Sequence, residues 1–194
     1  TRSFSEPAAR GVKNSRIDRS SAAVDTWLIA AGVVISVANR KTARSNADRI
    51  CKLVCWRLSC VGMALLREIS GRRSCKRFDG RAVESVKLDQ VVEAGRLAPS
   101  AKNRQEWRFV VIRRADLRDK IAAAAFREEN VSTAPVIIAA CTTNIDYMMP
   151  NGQYSHPIDL GVAASFMAIQ AEAEGLQSCF ITTFDEQDIK DLLS

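Results

Sequence analysis

From residue 85 onward, apolar and polar positions follow a rhythm that switches between helix and strand. Leu88, Val91, Val92 and Leu97 fall near helical spacing, Ser85 stands before them as an N-cap, and Pro99 follows. That pattern predicts a helix over 85–97. Trp107 to Ile112 is a short apolar, β-branched run between charges, which predicts a strand. The alanines of 116–126 predict a second helix, and Pro135 to Cys141 a second, buried strand. A loop follows over 144–157, marked by Pro150, Asn151-Gly152 and Pro157. The clearest helix is 158–175, apolar on several sides, with Gly161, Ala163, Ala164 and Ala168 offering close approach to a neighbour. A helix apolar nearly all round must be buried, in the core or in a subunit interface. Leu176 to Thr182 predicts a third strand, and Asp185 caps a last helix that runs to Ser194. Helices alternating with buried strands belong to the α/β or α+β class.

Charge divides the chain in two. The net charge is +6, but residues 1–62 hold 11 Lys/Arg against 4 Asp/Glu and residues 63–194 hold 17 against 18. A basic balance would ordinarily point to nucleic acid or a membrane surface. Here the excess belongs to the first third alone. That third is rich in Ser, Arg and Ala and starts with Thr; its one apolar run, Trp27 to Ala38, is broken by Gly32 and Ser36. A bilayer span needs about 20 apolar residues, so no transmembrane helix is expected. Residues 1–62 read as a non-native, disordered or upstream-translated extension, with a targeting segment as the alternative, and Met63 as a natural start. The domain is then 63–194. Cys51, Cys55 and Cys60 are spaced too widely for a zinc or iron–sulfur site, and Cys141 and Cys179 sit in apolar runs as packing residues. No disulfide framework is indicated, which favours a reducing cytoplasm.

Three segments carry candidate chemistry. Arg72, Arg73, Lys76 and Arg77 flank Ser74, and guanidinium forks with a hydroxyl suit a phosphate. Alone, such a cluster reads first as a solvated basic turn. The turn Pro99–Gln105 offers Ser100, Asn103 and Gln105 to a polar ligand, though a capped helix end needs little more than Pro99. Phe180 to Asp185 brings Thr182 and Thr183 to a strand end, where backbone N–H groups become available. The single His156 lies in a loop beside Pro157 and reads as a turn residue. The chain has no GxSxG, HExxH, P-loop or GxGxxG pattern. Polar loops around apolar strands, with no nucleophile or acid/base pair, suit cofactor chemistry.

Four runs, in this order, resemble the FMN-dependent nitroreductase family: Arg72 to Phe78, Gly95 to Val111, Ala134 to Ile138, and Glu174 to Asp185. Asn144 to Gln153, followed by the helix start at Pro157–Asp159, is similar to the small single-domain members. The resemblance runs from about Leu65 to Leu193. It implies an α+β fold, a three-layer sandwich with a central mixed sheet flanked by helices. It also implies a homodimer with a long buried interface helix and one FMN in each of two interface sites. By the family pattern, Arg72, Arg73 and Ser74 hold the FMN phosphate and ribityl chain. Lys76 lies near the flavin N1/O2 edge, where a cation stabilises the charge that hydride uptake leaves. Pro99, Ser100, Ala101, Asn103 and Gln105 reach the FMN of the partner subunit, and Thr182 and Thr183 match the segment beside the flavin N5.

The implied chemistry is ping-pong. NAD(P)H reduces FMN and leaves, and a nitroaromatic, quinone or similar small electrophilic acceptor takes the electrons. No catalytic side chain, metal, nucleic acid or membrane partner is expected. The chain departs from the family at Glu106, where Pro is usual, and at Thr182-Thr183, where a Gly-containing or Glu-Gly pair is common. It also ends at Ser194, where members continue through a further strand, a basic phosphate-contacting segment and an arm on the partner. A degenerate, non-catalytic flavin binder is the alternative these departures raise. A nucleic-acid-binding protein acting through residues 1–62 is another.

Overall fold

The computed structural model describes residues 30–39 and 65–194. Strand β3 (Val136–Thr142) is the spine of the fold, buried along its whole length. Its side chains alternate between two apolar cores, with Val136, Ile138 and Ala140 in one and Ile137, Ala139 and Cys141 in the other. A strand covered on both faces reads as a continuous apolar run, which is why its sequence shows no polar alternation. On one side β3 pairs antiparallel with β2 (Trp107–Ile112), from Trp107–Thr142 to Ile112–Ile137. On the other it pairs antiparallel with β1 (Ala30–Asn39), which pairs in turn with β4 (Leu176–Ile181). The order is β2-β3-β1-β4. The parallel component is a bridge from Ser74 to Ser178 along the outer edge of β4.

Helices cover both faces. On one, α2 (Ser85–Arg96) packs on α5 (His156–Ala173) through a core that includes Leu88, Val91, Leu160, Ala164 and Met167. The other is covered by α3 (Ala115–Ala124), α4 (Glu129–Ser132) and α6 (Glu186–Leu193), which contribute Ile121, Val131 and Ile189. A short α1 (Arg67–Gly71) contacts α5. This is the three-layer α+β sandwich that the family resemblance implies. Burial pushes the Cys141 thiol up to about 12, so this cysteine is an inert packing residue.

The periodicity places β2 at its predicted bounds and the other elements within a few residues of theirs. Asp185 caps α6 as expected, its Oδ1 accepting from the Asp188 N–H at 2.9 Å. Ser85 does not cap α2. The cap position is Glu84, and the Ser85 hydroxyl accepts instead from Arg113 Nη1 at 2.9 Å. In α5, Leu160, Ala163, Ala164, Met167, Ala168 and Ala171 are buried in the chain's own core, while Ile158 and Phe166 stay exposed.

The larger difference lies in the first third. The sequence sets residues 1–62 apart from the domain, yet 30–39 form an inner strand of the sheet, with Ile35 to Ala38 buried. The reason is local composition. Ile35 and Val37 join one core and Ala38 the other, as apolar, β-branched residues on both sides of Ser36 suit a doubly covered strand. The rest of that extension, with Cys51, Cys55 and Cys60, lies outside the described residues.

Candidate functional site

The basic cluster is a strap. Arg72 closes α1, its N–H donating to Glu68 O at 3.1 Å. The chain then runs along the outer edge of β4, where the Cys75 N–H donates to Ser178 O at 3.0 Å. The Cys75 thiol turns inward and shares its S–H between Arg77 O at 3.1 Å and Gln177 Oε1 at 3.3 Å. With Cys75 pinned, Arg73, Ser74 and Lys76 are left exposed and Arg72 half-exposed. Arg73 Nη1 donates to the carbonyls of Ser70 and Arg72, both at 2.9 Å, which stiffens the strap's start. Arg77 is drawn away to Glu129 at 2.9 Å. Three cations and a hydroxyl thus lie within five residues on a backbone tied to the sheet.

The second predicted segment is a strained turn. Ala101–Asn103 forms one 3-10 turn after α2. Lys102, Asn103 and Gln105 have φ of 53°, 54° and 52°. Asn tolerates that left-handed region, but Lys and Gln hold it at a cost of about 1–2 kcal/mol each. Two hydrogen bonds fix the ends. The Ala101 N–H donates to Asp159 Oδ1 at 2.8 Å, and the Gln105 N–H donates to Ser100 Oγ at 2.9 Å. Ser100 is therefore engaged within the turn, while Pro99, Asn103 and Gln105 are exposed.

Facing this turn is a group of residues absent from the set proposed above. Asn144 Oδ1 accepts from the N–H groups of Asp146 at 3.1 Å and Tyr147 at 3.2 Å, and its Nδ2 donates to Glu106 Oε1 at 3.0 Å. Arg104 lays its guanidinium carbon 3.8 Å from the centroid of the Tyr147 ring, and Lys102 Nζ lies 5.2 Å from it. Arg104 also pairs with Glu106 at 3.8 Å. Asn-x-Asp-Tyr signals an Asx turn. Its partners some forty residues away leave no mark in the local pattern.

Thr182 and Thr183 follow β4 and are exposed. The strap and the threonine pair therefore share the β4 edge of the sheet, whereas the 99–105 turn feeds β2 at the opposite edge. With strands 4.7–4.9 Å apart, β2 and β4 are separated by about 14 Å. Arg72, Arg73, Ser74, Lys76, Thr182 and Thr183 are gathered on one edge. Pro99, Ser100, Ala101, Asn103 and Gln105 are gathered on the other.

The sequence pattern of the nitroreductase family matches residues 69–132. A nitroreductase family protein of Clostridium difficile 630, whose structure is solved, is 30% identical with a TM-score of 0.60, over 68% of this chain and 75% of that one. The chain belongs to the nitroreductase family. An FMN-dependent nitroreductase from Clostridium difficile R20291 shares the nitroreductase fold with a TM-score of 0.55 at 24% identity, over 65% of this chain and 76% of that one. An oxygen-insensitive NADPH nitroreductase of Helicobacter pylori is 35% identical over 88 residues, 44% of this chain and 42% of that nitroreductase. The chain thus spans less than half the length of that curated relative. The family match covers the strap and the 99–105 turn, whereas β4 and the threonine pair lie beyond it.

Proposed function

We propose that this chain is an FMN-dependent oxidoreductase that passes electrons from NAD(P)H to nitroaromatic, quinone or similar electrophilic acceptors by a ping-pong mechanism. The observation that carries this reading is the strap. Arg72, Arg73, Ser74 and Lys76 stand on a backbone held to β4 by the Ser74–Ser178 bridge and the Cys75–Ser178 hydrogen bond. That donor set fits a phosphate-bearing cofactor, because guanidinium and hydroxyl donors on a fixed backbone bind phosphate with little reorganisation. The neighbour named FMN-dependent and the relative named an NADPH nitroreductase support flavin and nicotinamide use in general.

When bound, FMN supplies the capacity to accept a hydride and release its electrons. The protein's part is binding and orientation. Arg72, Arg73 and Ser74 bind the phosphate and ribityl chain. Lys76 would supply a positive charge to the flavin ring, and the backbone at Thr182 and Thr183 would supply N–H donors to it. The turn Pro99–Gln105 sits on the far edge of its own sheet and serves the cofactor of a second copy, so the working unit is a homodimer.

The surface that suits dimerisation is an open groove of about 650 Å³ beside α2 and α5, where Val86, Ala94, Leu97 and Phe166 lie among Asp89, Gln90, Glu93 and Gln170. Val86 is 67%, Leu97 61% and Phe166 41% exposed, an apolar surface that water disfavours. The buried thiols of Cys141 and Cys179 suit a cytoplasmic location, and among the described residues no helix is long and apolar enough to cross a membrane.

The test is the visible spectrum of the purified chain, followed by NADH or NADPH without oxygen. Bleaching of flavin absorbance is the expected result. A chain that stays colourless and takes up no added FMN would sink the flavin reading, and bound flavin that neither nucleotide bleaches would establish the degenerate binder instead. For assembly, Phe166→Glu is expected to turn a dimer into a 21.3 kDa monomer in light scattering and to release flavin with it. A dimer that survives the charge would place the interface elsewhere.

A further inference from the structure

We propose that Arg104, Tyr147, Asn144 and Glu106 form a latch that holds the strained 102–105 turn in its ligand-binding shape, with Tyr147 as its positioning residue. The functional consequence rests on the flavin reading above; the latch itself does not.

The start of the turn is fixed by two backbone N–H donors, Ala101 to the Asp159 carboxylate and Asn103 to Ser100 O. The half that carries the left-handed residues Lys102, Asn103 and Gln105 adds the Arg104 N–H to Ala101 O bond at 3.2 Å and the Gln105 N–H to Ser100 Oγ bond at 2.9 Å, and beyond these its contacts are made by side chains. Arg104 stacks on the Tyr147 ring, Lys102 approaches the same ring, and Glu106 lies between Arg104 and Asn144. A planar guanidinium over an aromatic face is both a cation–π contact and a stack, so it fixes orientation as well as distance.

Tyr147 is itself anchored. Its N–H donates to Asn144 Oδ1, and its carbonyl accepts from the Ser155 N–H at 3.2 Å. Ser155 O accepts from the Asp159 N–H at 2.9 Å, and the Asp159 carboxylate returns to Ala101. The links close a ring: turn, Asp159, Ser155, Tyr147, Arg104 and turn again. Loop 144–155 and the turn therefore move as one body. Opening the loop must break the Arg104–Tyr147 stack and release the backbone conformation that Lys102 and Gln105 do not favour. Glu106 gains a role here. Where the family usually has Pro, this chain has a carboxylate that ties the end of the turn to Asn144.

The experiment is amide hydrogen exchange on the flavin-free full chain, read at Asn103 and Gln105, for Tyr147→Leu, Tyr147→Phe, Arg104→Gln and the Tyr147→Leu/Arg104→Gln double variant. Both single variants that remove the stack are expected to exchange at least tenfold faster at these amides. The double variant is expected to be no faster than either, because both remove one contact. Tyr147→Phe keeps the ring face and should keep the protection. FMN affinity, read by flavin fluorescence, should fall about five- to tenfold in the same variants and be spared in Tyr147→Phe. Arg104 is exposed, so Arg104→Gln leaves the core intact even if Tyr147→Leu folds poorly. Unchanged exchange in Arg104→Gln, or effects that simply add, would overturn the latch. A wild-type chain that never binds FMN would overturn the flavin reading alone, since the exchange readout needs no flavin.

Discussion

Replacing Arg72 and Arg73 together by alanine is expected to raise the dissociation constant for FMN at least a hundredfold while leaving the melting temperature nearly unchanged. A hydrogen bond to a charged group contributes about 1.5–3 kcal/mol, so two lost phosphate contacts amount to about 3 kcal/mol or more, and each 1.4 kcal/mol is tenfold in affinity. The fold should tolerate the change. Arg73 is exposed and Arg72 half-exposed, and among the described residues the Arg73 side chain bonds local carbonyls, those of Ser70 and Arg72. The diagnostic is riboflavin, which has the same ring and no phosphate. Wild-type protein should strongly prefer FMN, and the double variant should bind the two nearly alike. Because the effect is electrostatic and partly exposed, it should shrink as salt is raised. An FMN affinity that survives both substitutions would place the phosphate elsewhere and leave the strap a solvated basic turn.

What the chain reveals before folding follows the range of the interaction. β2 and β3 are readable because a short apolar run between charges, or a continuous one, has few other destinations. Asp185 is readable because its cap is three residues long. Ser85 misleads by the same rule, since a hydroxyl that looks like a cap is taken by Arg113, 28 residues away. β1 is harder. Nothing within 30–39 states that its partners are β3 and β4, which pair with it from far downstream, starting with Val136 opposite Val37. The site divides the same way. Composition marks Arg72 to Lys76 as an anion-binding cluster, but not its seat against Ser178. Asn103 advertises a left-handed conformation, whereas Lys102 and Gln105 carry no such preference and are held there by contacts elsewhere. Tyr147 and Arg104 meet only in three dimensions.

Gly95→Val is expected to destabilise the fold by about 3 kcal/mol, a drop of roughly 6–12 °C in melting temperature for a chain of this size. Gly95 is buried on α2 against Met167 of α5, which is fully buried. A Cβ built at position 95 would lie 2.2 Å from Met167 Cε and 2.9 Å from its Cγ, closer than real Cβ atoms come. The methyl end of Met167 can swing, but Cγ sits near the helix backbone and cannot clear the space without moving α5. Alanine regains about 1 kcal/mol of helix propensity and still has to displace Met167, so Gly95→Ala should be mildly destabilising. Valine adds volume and regains little.

The pair is separable by a size swap. Met167→Ala alone should cost about 2–5 kcal/mol through the cavity it leaves. Combined with Gly95→Val, the total should fall short of the sum by at least about 1 kcal/mol, because the valine occupies part of the vacated space. Urea titration of the four proteins decides it, and strictly additive losses would mean that the two residues do not share this contact. The consequence reaches the site. α2 delivers the chain to the 99–105 turn, and α5 supplies the Asp159 carboxylate that holds Ala101. Gly95 sets how closely those two helices lie. A Gly95 variant that still folds should therefore also loosen the turn, read as faster exchange at the Ala101 amide than in the wild type.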